Sequence, residues 1–423
     1  MEFNIERRFK NPLVSGGIAV VITFLIACIG WPIWGLIVKG IISNLANVGL
    51  AQVDATASSQ YIKDVTEGTF FWMSINSWVW LTLLFGNYGK YAKGKKQPIA
   101  GLRYAAIAFS LGALAMLVMI GFLGIWWKPF NLATMFMPQT GSQVLLATEG
   151  WAAANFYAVP VLICQIPIVS IFGKWPFAGR IDAPWDGFGV MMTTTVIAIL
   201  VWMAMVIPSF LKFQLGGEAA SITPMGSWPS VLAFCQIFIF LFLFPGIGGE
   251  QYPYKLFTER QPWKGLIGIS ISWVGALAIR GILRVVLKPL DLLNGQPVDL
   301  VIASLVLSII TTALLWHHQF FDYPGEDKIK SSGARFLIRL AIVVVIGTIM
   351  GLIWMKVYKM LPYGGNDMGL GYATLGVIAG QFIFMMPYLY LNTFFDKWPL
   401  IKQVKTELKI PSNTSIREHK TTI

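Results

Sequence analysis

The sequence predicts an all-α integral membrane protein that crosses the bilayer about ten times. Hydrophobic residues make up 56% of the 423-residue chain and charged residues only 12%. A soluble domain carries about a quarter of its residues as charges, so lipid is expected to cover much of this surface. Apolar stretches of roughly 20 residues recur along the chain, and a helix of that length crosses a hydrocarbon layer of ~30 Å. The expected location is a plasma membrane, or the inner membrane of a bacterium, with multiple passes.

The ten apolar spans pair into five predicted hairpins. A proline in or beside a basic patch recurs near the start of each pair, which predicts five tandem two-helix repeats in which Pro98 and Pro176 are equivalent. The predicted spans are residues 13–38, 69–88, 103–126, 151–172, 187–211, 229–248, 264–287, 299–317, 336–361 and 372–394. The predicted hairpins are approximately residues 9–94, 95–173, 174–259, 260–322 and 323–400. The small polar run Asp54–Gln60, before the second span, is expected to be a loop.

The distribution of lysine and arginine predicts the orientation of the chain. Of these residues, 23 fall in or beside predicted connections on the side of the N-terminus and seven on the other side. Basic residues near spans favour the cytoplasm, so both termini are expected there. Residues 1–400 then form a single transmembrane domain, and residues 401–423 form a basic cytoplasmic tail. Because topology accounts for the net charge of +12, nucleic acid is not expected as a partner.

Three glutamines occupy similar places in even-numbered spans and are candidate substrate-binding residues. They are Gln165, Gln236 and Gln381, and the first two lie within identical Cys-Gln-Ile triplets. A glutamine in lipid must find partners, so each is expected to face protein or water. One interpretation is a set of hydrogen bonds between helices, worth about 0.6–2 kcal/mol each. The other is a polar lining around a central passage.

The seventh span carries a second candidate site. Arg280, Arg284 and Lys288 follow one another at intervals of four residues, which places three cations on one helical face. Arg280 lies roughly 24 Å along the helix from Lys264, toward the side away from the termini. No aspartate or glutamate lies in the middle of a predicted span, so the counter-charge is expected to come from elsewhere. A substrate carboxylate or phosphate, a lipid headgroup and a partner subunit are the alternatives.

The end of the eighth span carries the candidate metal ligands His317, His318 and Asp322. Adjacent histidines on a helix point about 100° apart, so they converge poorly on one ion, whereas His318 and Asp322 could share a face. Packing at the membrane interface is the alternative interpretation. No other histidine lies in a span, as a haem would require, and no cofactor is expected.

Transport of a small, anionic organic solute through a passage between the helix hairpins is the favoured function. The lack of a mid-span carboxylate argues against a carrier that exchanges its coupling ion on a buried acid. Two alternatives belong to other classes: a non-catalytic subunit that anchors partner proteins, and an intramembrane enzyme that modifies lipids. No catalytic residue is assigned, because no hydrolase, metalloprotease or nucleotide-binding motif is present. The expected partners are the lipid bilayer, the anionic solute and further protein subunits.

Overall fold

The computed structural model describes residues 3–9, 11–91, 96–125, 127–214, 222–223, 226–364 and 376–405. Within these ranges the protein is predominantly helical, as predicted. We label the long helices α1 to α10, with α2 beginning as Ala55–Phe71 and continuing to Leu84 through two π-helical segments, Trp72–Asn76 and Trp80–Leu84. The others are α1 (Pro12–Leu45), α3 (Ile99–Leu123), α4 (Gly141–Ser170), α5 (Trp185–Gln214), α6 (Trp228–Ile247), α7 (Trp263–Leu287), α8 (Val298–His318), α9 (Ser332–Val357) and α10 (Gly376–Thr393).

Six helices in the described part of the chain are long and apolar enough to cross a membrane. They are α1, α3, α6, α7, α8 and α9. The protein is therefore a multi-pass membrane protein. Helices α2, α4, α5 and α10 overlap the remaining predicted spans, and that they also cross the bilayer stays a prediction.

Side-chain caps fix where several helices begin. Asn11 accepts a hydrogen bond from the Leu13 amide at 2.9 Å, and Pro12 occupies the first helical position of α1. Asp54 accepts one from the Ala57 amide at 2.7 Å. The cap at Asp54 overturns the expected loop over residues 54–60, because its carboxylate satisfies an amide that would otherwise lack a partner at the start of α2.

The even-numbered helices form a closed inner ring in the order α2, α4, α6, α8 and α10. Helices α4 and α6 pack directly on each other. Hydrogen bonds join the other neighbours: Trp80 Nε1 to Gln165 Oε1 (2.9 Å, α2 to α4), Ser230 Oγ to Asp299 Oδ2 (3.2 Å, α6 to α8), Tyr388 OH to Leu314 O (2.9 Å, α10 to α8) and Trp78 Nε1 to Thr393 Oγ1 (2.8 Å, α2 to α10). The ring places its polar bonds between protein helices, away from lipid.

The odd-numbered helices lie outside this ring. In the most apolar stretch of the inner helix α8, 83% of the residues are buried, whereas 17% are buried in the corresponding stretch of the outer helix α7. The exposed side chains of the outer helices are large and apolar, as at Leu36 and Val285. In a membrane this surface faces lipid, so the outer helices need no second protein layer.

Each inner helix ends in the same turn. Two consecutive residues after the helix have positive φ, between 48° and 62°, and the amide of the second bonds a carbonyl six residues earlier, which closes the helix end in the manner of a Schellman motif. An aromatic residue and then glycine or proline follow. The five turns are Gly86-Asn87-Tyr88-Gly89, Gly173-Lys174-Trp175-Pro176, Glu250-Gln251-Tyr252-Pro253, Phe321-Asp322-Tyr323-Pro324 and Asp396-Lys397-Trp398-Pro399.

These turns correct the predicted register of the hairpins. Pro176 lies within a turn that ends α4, whereas Pro98 lies directly before α3. The two prolines are therefore not equivalent, and that expectation is wrong. Aligning the turns pairs Pro176 with Gly89. The proline that lies directly before α5, as Pro98 lies directly before α3, is Pro184.

The five turns lie side by side on one face, which we call the turn face. Their contacts include Lys174 Nζ with Leu84 O (2.6 Å), Lys90 with Asp396 (2.5 Å) and Lys397 Nζ with the Phe321 ring (4.2 Å to its centroid). On the same face strand β1 (Phe3–Arg7) pairs antiparallel with strand β2 (Ile401–Lys405). The first residues of the predicted tail thus form a strand, and residues 406–423 lie outside the described ranges.

Candidate axial passage and polar clusters

A cavity of about 230 Å³ lies along the axis of the inner ring. All five inner helices line it, and most of the lining side chains are aliphatic or aromatic. Representative lining residues are Val79 of α2, Ile166 of α4, Ile239 of α6, Ile310 of α8 and Leu389 of α10. The ring thus encloses a narrow apolar space instead of packing solidly to its axis.

A few polar side chains interrupt this apolar lining. Gln236 of α6 lines the cavity among leucines and isoleucines. Thr82, Thr393 and the histidines 317 and 318 also line it, and all four precede the turns by only a few residues. The polar groups are therefore concentrated at the end of the cavity nearest the turn face, with Gln236 deeper along the axis.

The three candidate glutamines do not share this cavity. Gln165 is fully buried and accepts the Trp80 hydrogen bond, and Gln381 donates to Ser308 Oγ at 2.6 Å and to Ser304 O at 3.1 Å. Only Gln236 lines the cavity. Gln165 and Gln381 instead join neighbouring inner helices, which was the alternative that the sequence left open.

Arg280 belongs to a cluster that three helices build near the face opposite the turns. Its Nε lies 3.0 Å from Asp299 Oδ1 on α8, and its Nη2 donates to Ser230 Oγ on α6. Arg284 lies 3.7 Å from the other oxygen of Asp299. The expectation that the chain offers Arg280 no counter-charge is therefore wrong, because Asp299, in the first turn of α8, provides it.

The two arginines differ in their surroundings. The Arg280 side chain is 13% exposed and the Arg284 side chain 52% exposed. Together they carry one more charge than Asp299 neutralises. Arg280 is thus held between helices, whereas Arg284 reaches the surface and can still meet an anion there.

The candidate metal ligands are arranged differently from the sequence-based expectation. Asp322 Oδ2 lies 2.8 Å from His317 Nδ1, five residues away, instead of sharing a helical face with His318. The reason is that α8 ends at His318 and Asp322 has the left-handed φ of 54°, so helical spacing no longer applies. Within the described ranges, no three histidine, cysteine, aspartate or glutamate side chains converge to hold a metal ion.

Sequence reasoning missed an ion-pair cluster on the turn face. Glu250, in the third turn, accepts hydrogen bonds from Arg335 Nη2 at 2.9 Å and from Arg339 Nη1 at 3.2 Å. Arg339 also donates to Gly248 O at the end of α6. Hydrogen bonding to Arg335 holds the pKa of the Glu250 carboxyl below its usual range, with the charge of Arg339 adding to the effect. The i, i+4 spacing of the two arginines was the available signal, but it did not identify Glu250 as their partner.

A second cluster on the turn face joins the first and fifth turns. Lys90 Nζ lies 2.5 Å from Asp396 Oδ1, and Gln97 Nε2 donates to Asp396 Oδ2 at 2.7 Å. Burial lowers the pKa of the Lys90 ammonium despite the neighbouring carboxylate. This contact closes the ring between its first and last hairpins.

Two further carboxylates are buried in α2, ahead of the predicted second span. Asp64 and Glu67 are both fully buried in the described structure, and Gln60 Nε2 donates to Asp64 Oδ1 at 2.8 Å. The sequence placed them in a connection because the predicted span began at residue 69. They show that α2 carries acids on a buried face.

Comparison of the chain with protein-family models, with curated proteins and with solved structures finds no match.

Proposed function

We propose that this protein transports a small solute across the membrane along the axis of the inner ring. The observation that supports the proposal is the axial cavity, to which every inner helix contributes lining residues. A subunit that only anchors partners does not need a space along its axis, and a closely packed ring would be more stable. Polar groups at the turn end and Gln236 deeper in the cavity offer a solute successive hydrogen-bonding positions.

The lining favours an uncharged solute over the anion expected from the sequence. Among the described lining residues there is no lysine, arginine, aspartate or glutamate. Moving an ion into an apolar cavity without a paired charge costs far more free energy than moving a neutral polar molecule. Narrow hydrophobic constrictions also exclude ions by losing their water. A small neutral polar molecule such as urea or glycerol is the corresponding substrate class.

An anion has one specific place in this account. Arg284 is half exposed and belongs to a cluster with one excess positive charge. We propose that an anion binds there, at the surface opposite the turn face, and not at Arg280. This second role concerns recognition at the surface and does not require the anion to enter the axial cavity.

We propose a topology of ten crossings in five hairpins with both termini in the cytoplasm. The shared turn at the end of each inner helix supports the five hairpins. The pairing of β1 with β2 supports a common side for the two terminal segments. Among the described residues, most lysines and arginines lie in or beside connections on the turn face, which favours the cytoplasm.

Flux through reconstituted vesicles tests the proposed passage. Ile310→Trp places a bulky ring in the cavity, and Ile349→Trp makes the same change at a position of α9 that is 52% exposed. Stopped-flow light scattering would follow urea, glycerol and formate. We expect wild type and Ile349→Trp to pass the neutral solutes faster than protein-free vesicles, and Ile310→Trp to lose this excess. Equal flux in the two tryptophan variants would contradict the axial passage.

A further inference from the structure

An open groove lies on the outer surface between α1 and α3, separate from the axial cavity. Its volume is about 420 Å³ and its lining is almost entirely apolar. Ile26, Gly30 and Trp34 form one wall on α1, Phe109 forms part of the other on α3, and Tyr390 of α10 lies at its floor. The groove therefore opens from the inner ring toward the surface that faces lipid.

Small residues and fixed aromatic rings give the groove its shape. A Cβ atom added at Gly30 would have no other atom within 4 Å, so this glycine leaves the groove open. Trp34 Nε1 donates to Thr66 O at 3.0 Å, and the Trp31 and Phe70 rings pack edge to face with centroids 5.3 Å apart. Because these rings are held by α2, the groove keeps its shape without an occupant.

The end of the groove at the turn face adjoins a basic strand pair. Pro399 lines the groove, and the next residue, Leu400, accepts a hydrogen bond from the Arg8 amide at 3.1 Å. The Arg8 side chain is exposed. Strands β1 and β2, with Arg8, contain four basic residues and one acidic residue; they are Arg7, Arg8, Lys402, Lys405 and Glu6. An apolar groove thus ends beside a strand pair whose sequence carries a net positive charge.

We propose that this groove binds one anionic phospholipid, with an acyl chain along α1 and the headgroup phosphate beside Arg8. The chain and the phosphate match the two parts of the site, since basic clusters directly outside a membrane helix attract anionic headgroups. A neutral lipid would satisfy only the groove. A helix of a partner protein would satisfy the groove but gives no reason for the basic strands at its end.

Native mass spectrometry of the purified full-length protein tests the proposal, with equal amounts of phosphatidylglycerol and phosphatidylcholine as probes. Gly30→Phe fills the groove, and Gly40→Phe makes the same change at another exposed, open position of α1. We expect wild type and Gly40→Phe to retain one phosphatidylglycerol through delipidation and Gly30→Phe to lose it. Gly30→Phe folds if its melting temperature matches that of Gly40→Phe; if it unfolds, Ile26→Trp replaces it in the comparison.

Arg8 tests the headgroup part of the site. Arg8→Gln should lower the preference for phosphatidylglycerol over phosphatidylcholine about five-fold, the equivalent of about 1 kcal/mol for a basic residue near a membrane surface. Arg180→Gln, at an exposed arginine in another connection of the turn face, should leave the preference unchanged. Three results would overturn the proposal. Wild type could retain the two lipids equally, or Gly30→Phe could retain phosphatidylglycerol as wild type does. The third is photocrosslinking of the groove to a protein instead of a lipid.

Discussion

Arg280 on α7 and Asp299 on α8 form a buried ion pair with a separation of 3.0 Å between Nε and Oδ1. Ser230 on α6 bonds both partners, so the cluster links two inner helices to an outer one. Each charge of such a pair is stabilised mainly by the other, because removing either one leaves an unpaired charge in a poorly solvated place. The pair is therefore expected to contribute to the stability of the fold, and not to substrate binding.

Single substitutions in this pair should destabilise the protein more than the double substitution. Arg280→Gln or Asp299→Asn alone should cost up to roughly 3–5 kcal/mol, the range for breaking a buried ion pair from one side. The double variant should recover part of that loss, since no unpaired charge remains. Unfolding in detergent, followed by intrinsic fluorescence, measures the three variants. An Arg280→Gln protein as stable as wild type that fails to bind an anion would instead favour a substrate role for Arg280.

Arg284 should affect anion binding without affecting stability. It is half exposed, so Arg284→Gln removes a charge in a well-solvated place, where an ion pair contributes about 0–1 kcal/mol. We expect a several-fold weaker response to added phosphate or formate, measured by tryptophan fluorescence, and an unchanged melting temperature. Lys288→Gln is the matched control at the next position on the same helical face. Loss of the anion response in the control alone would remove Arg284 from the account.

Substitutions of Gln381 and Gln236 should have different effects, the first on stability and the second on solute flux. Gln381→Leu removes the hydrogen bonds to α8 and should lower stability by about 0.6–2 kcal/mol while leaving solute flux intact. Gln236→Leu should lower urea flux roughly two- to ten-fold, the equivalent of one hydrogen bond, with an unchanged melting temperature. Thermal unfolding and vesicle flux on the same preparations measure both effects. The reverse assignment, with flux lost only in Gln381→Leu, would place the passage elsewhere.

The identical triplets around Gln165 and Gln236 show which features of the site could be predicted from the sequence and which could not. Both triplets are predicted to occupy similar places in even-numbered spans, and the structure places both in inner helices. Their surroundings differ because α2 presents Trp80 to Gln165, whereas Gln236 faces the cavity. The pattern specifies the helix but not the depth, because Gln165 lies 8 residues before the turn at Gly173 (173 − 165) and Gln236 lies 14 residues before the turn at Glu250 (250 − 236). The partner of Gln165 comes from another helix far away in sequence.

Two predictions were wrong for related reasons: the loop over residues 54–60, and the lack of a counter-charge for Arg280 within the chain. Polar composition over residues 54–60 favoured a loop, whereas an Asp54 cap and contacts with neighbouring helices favour a helix. Asp299 was counted as the edge of a span, and its distance from Arg280 depends on how α7 and α8 pack. Composition and charge predicted the class of protein, while side-chain pairing across helices required the structure.

Stability should depend on pH through Glu250. Its pKa is lowered in the folded protein by Arg335 and Arg339, so its stabilising contribution is complete above the ordinary glutamate value of about 4.3 and is lost as the pH falls through the lowered value. Glu250→Gln should therefore melt at a lower temperature than wild type at pH 7 and show a smaller further loss at acidic pH. Melting curves from pH 7 down to pH 3 measure this. Parallel acid profiles for the two proteins would show that Glu250 is not the group responsible.

The topology can be checked with single cysteines. In a background lacking Cys28, Cys164 and Cys235, Asn294→Cys lies between α7 and α8, and Asp327→Cys lies between α8 and α9, both at exposed positions. A membrane-impermeant maleimide should label position 294 in intact cells and position 327 only after permeabilisation. Labelling of position 327 in intact cells would reverse the proposed orientation.

Modification of the ring axis tests the central claim most directly. In the same cysteine-free background, Val79→Cys places a thiol in the axial cavity, and Val345→Cys places one on the lipid-facing surface of α9. Urea flux would be measured before and after treatment with methyl methanethiosulfonate, and mass spectrometry would show that each thiol had reacted. The axial passage predicts that modification at position 79 stops flux while modification at position 345 leaves it unchanged. Undiminished flux after complete modification of position 79 would contradict it.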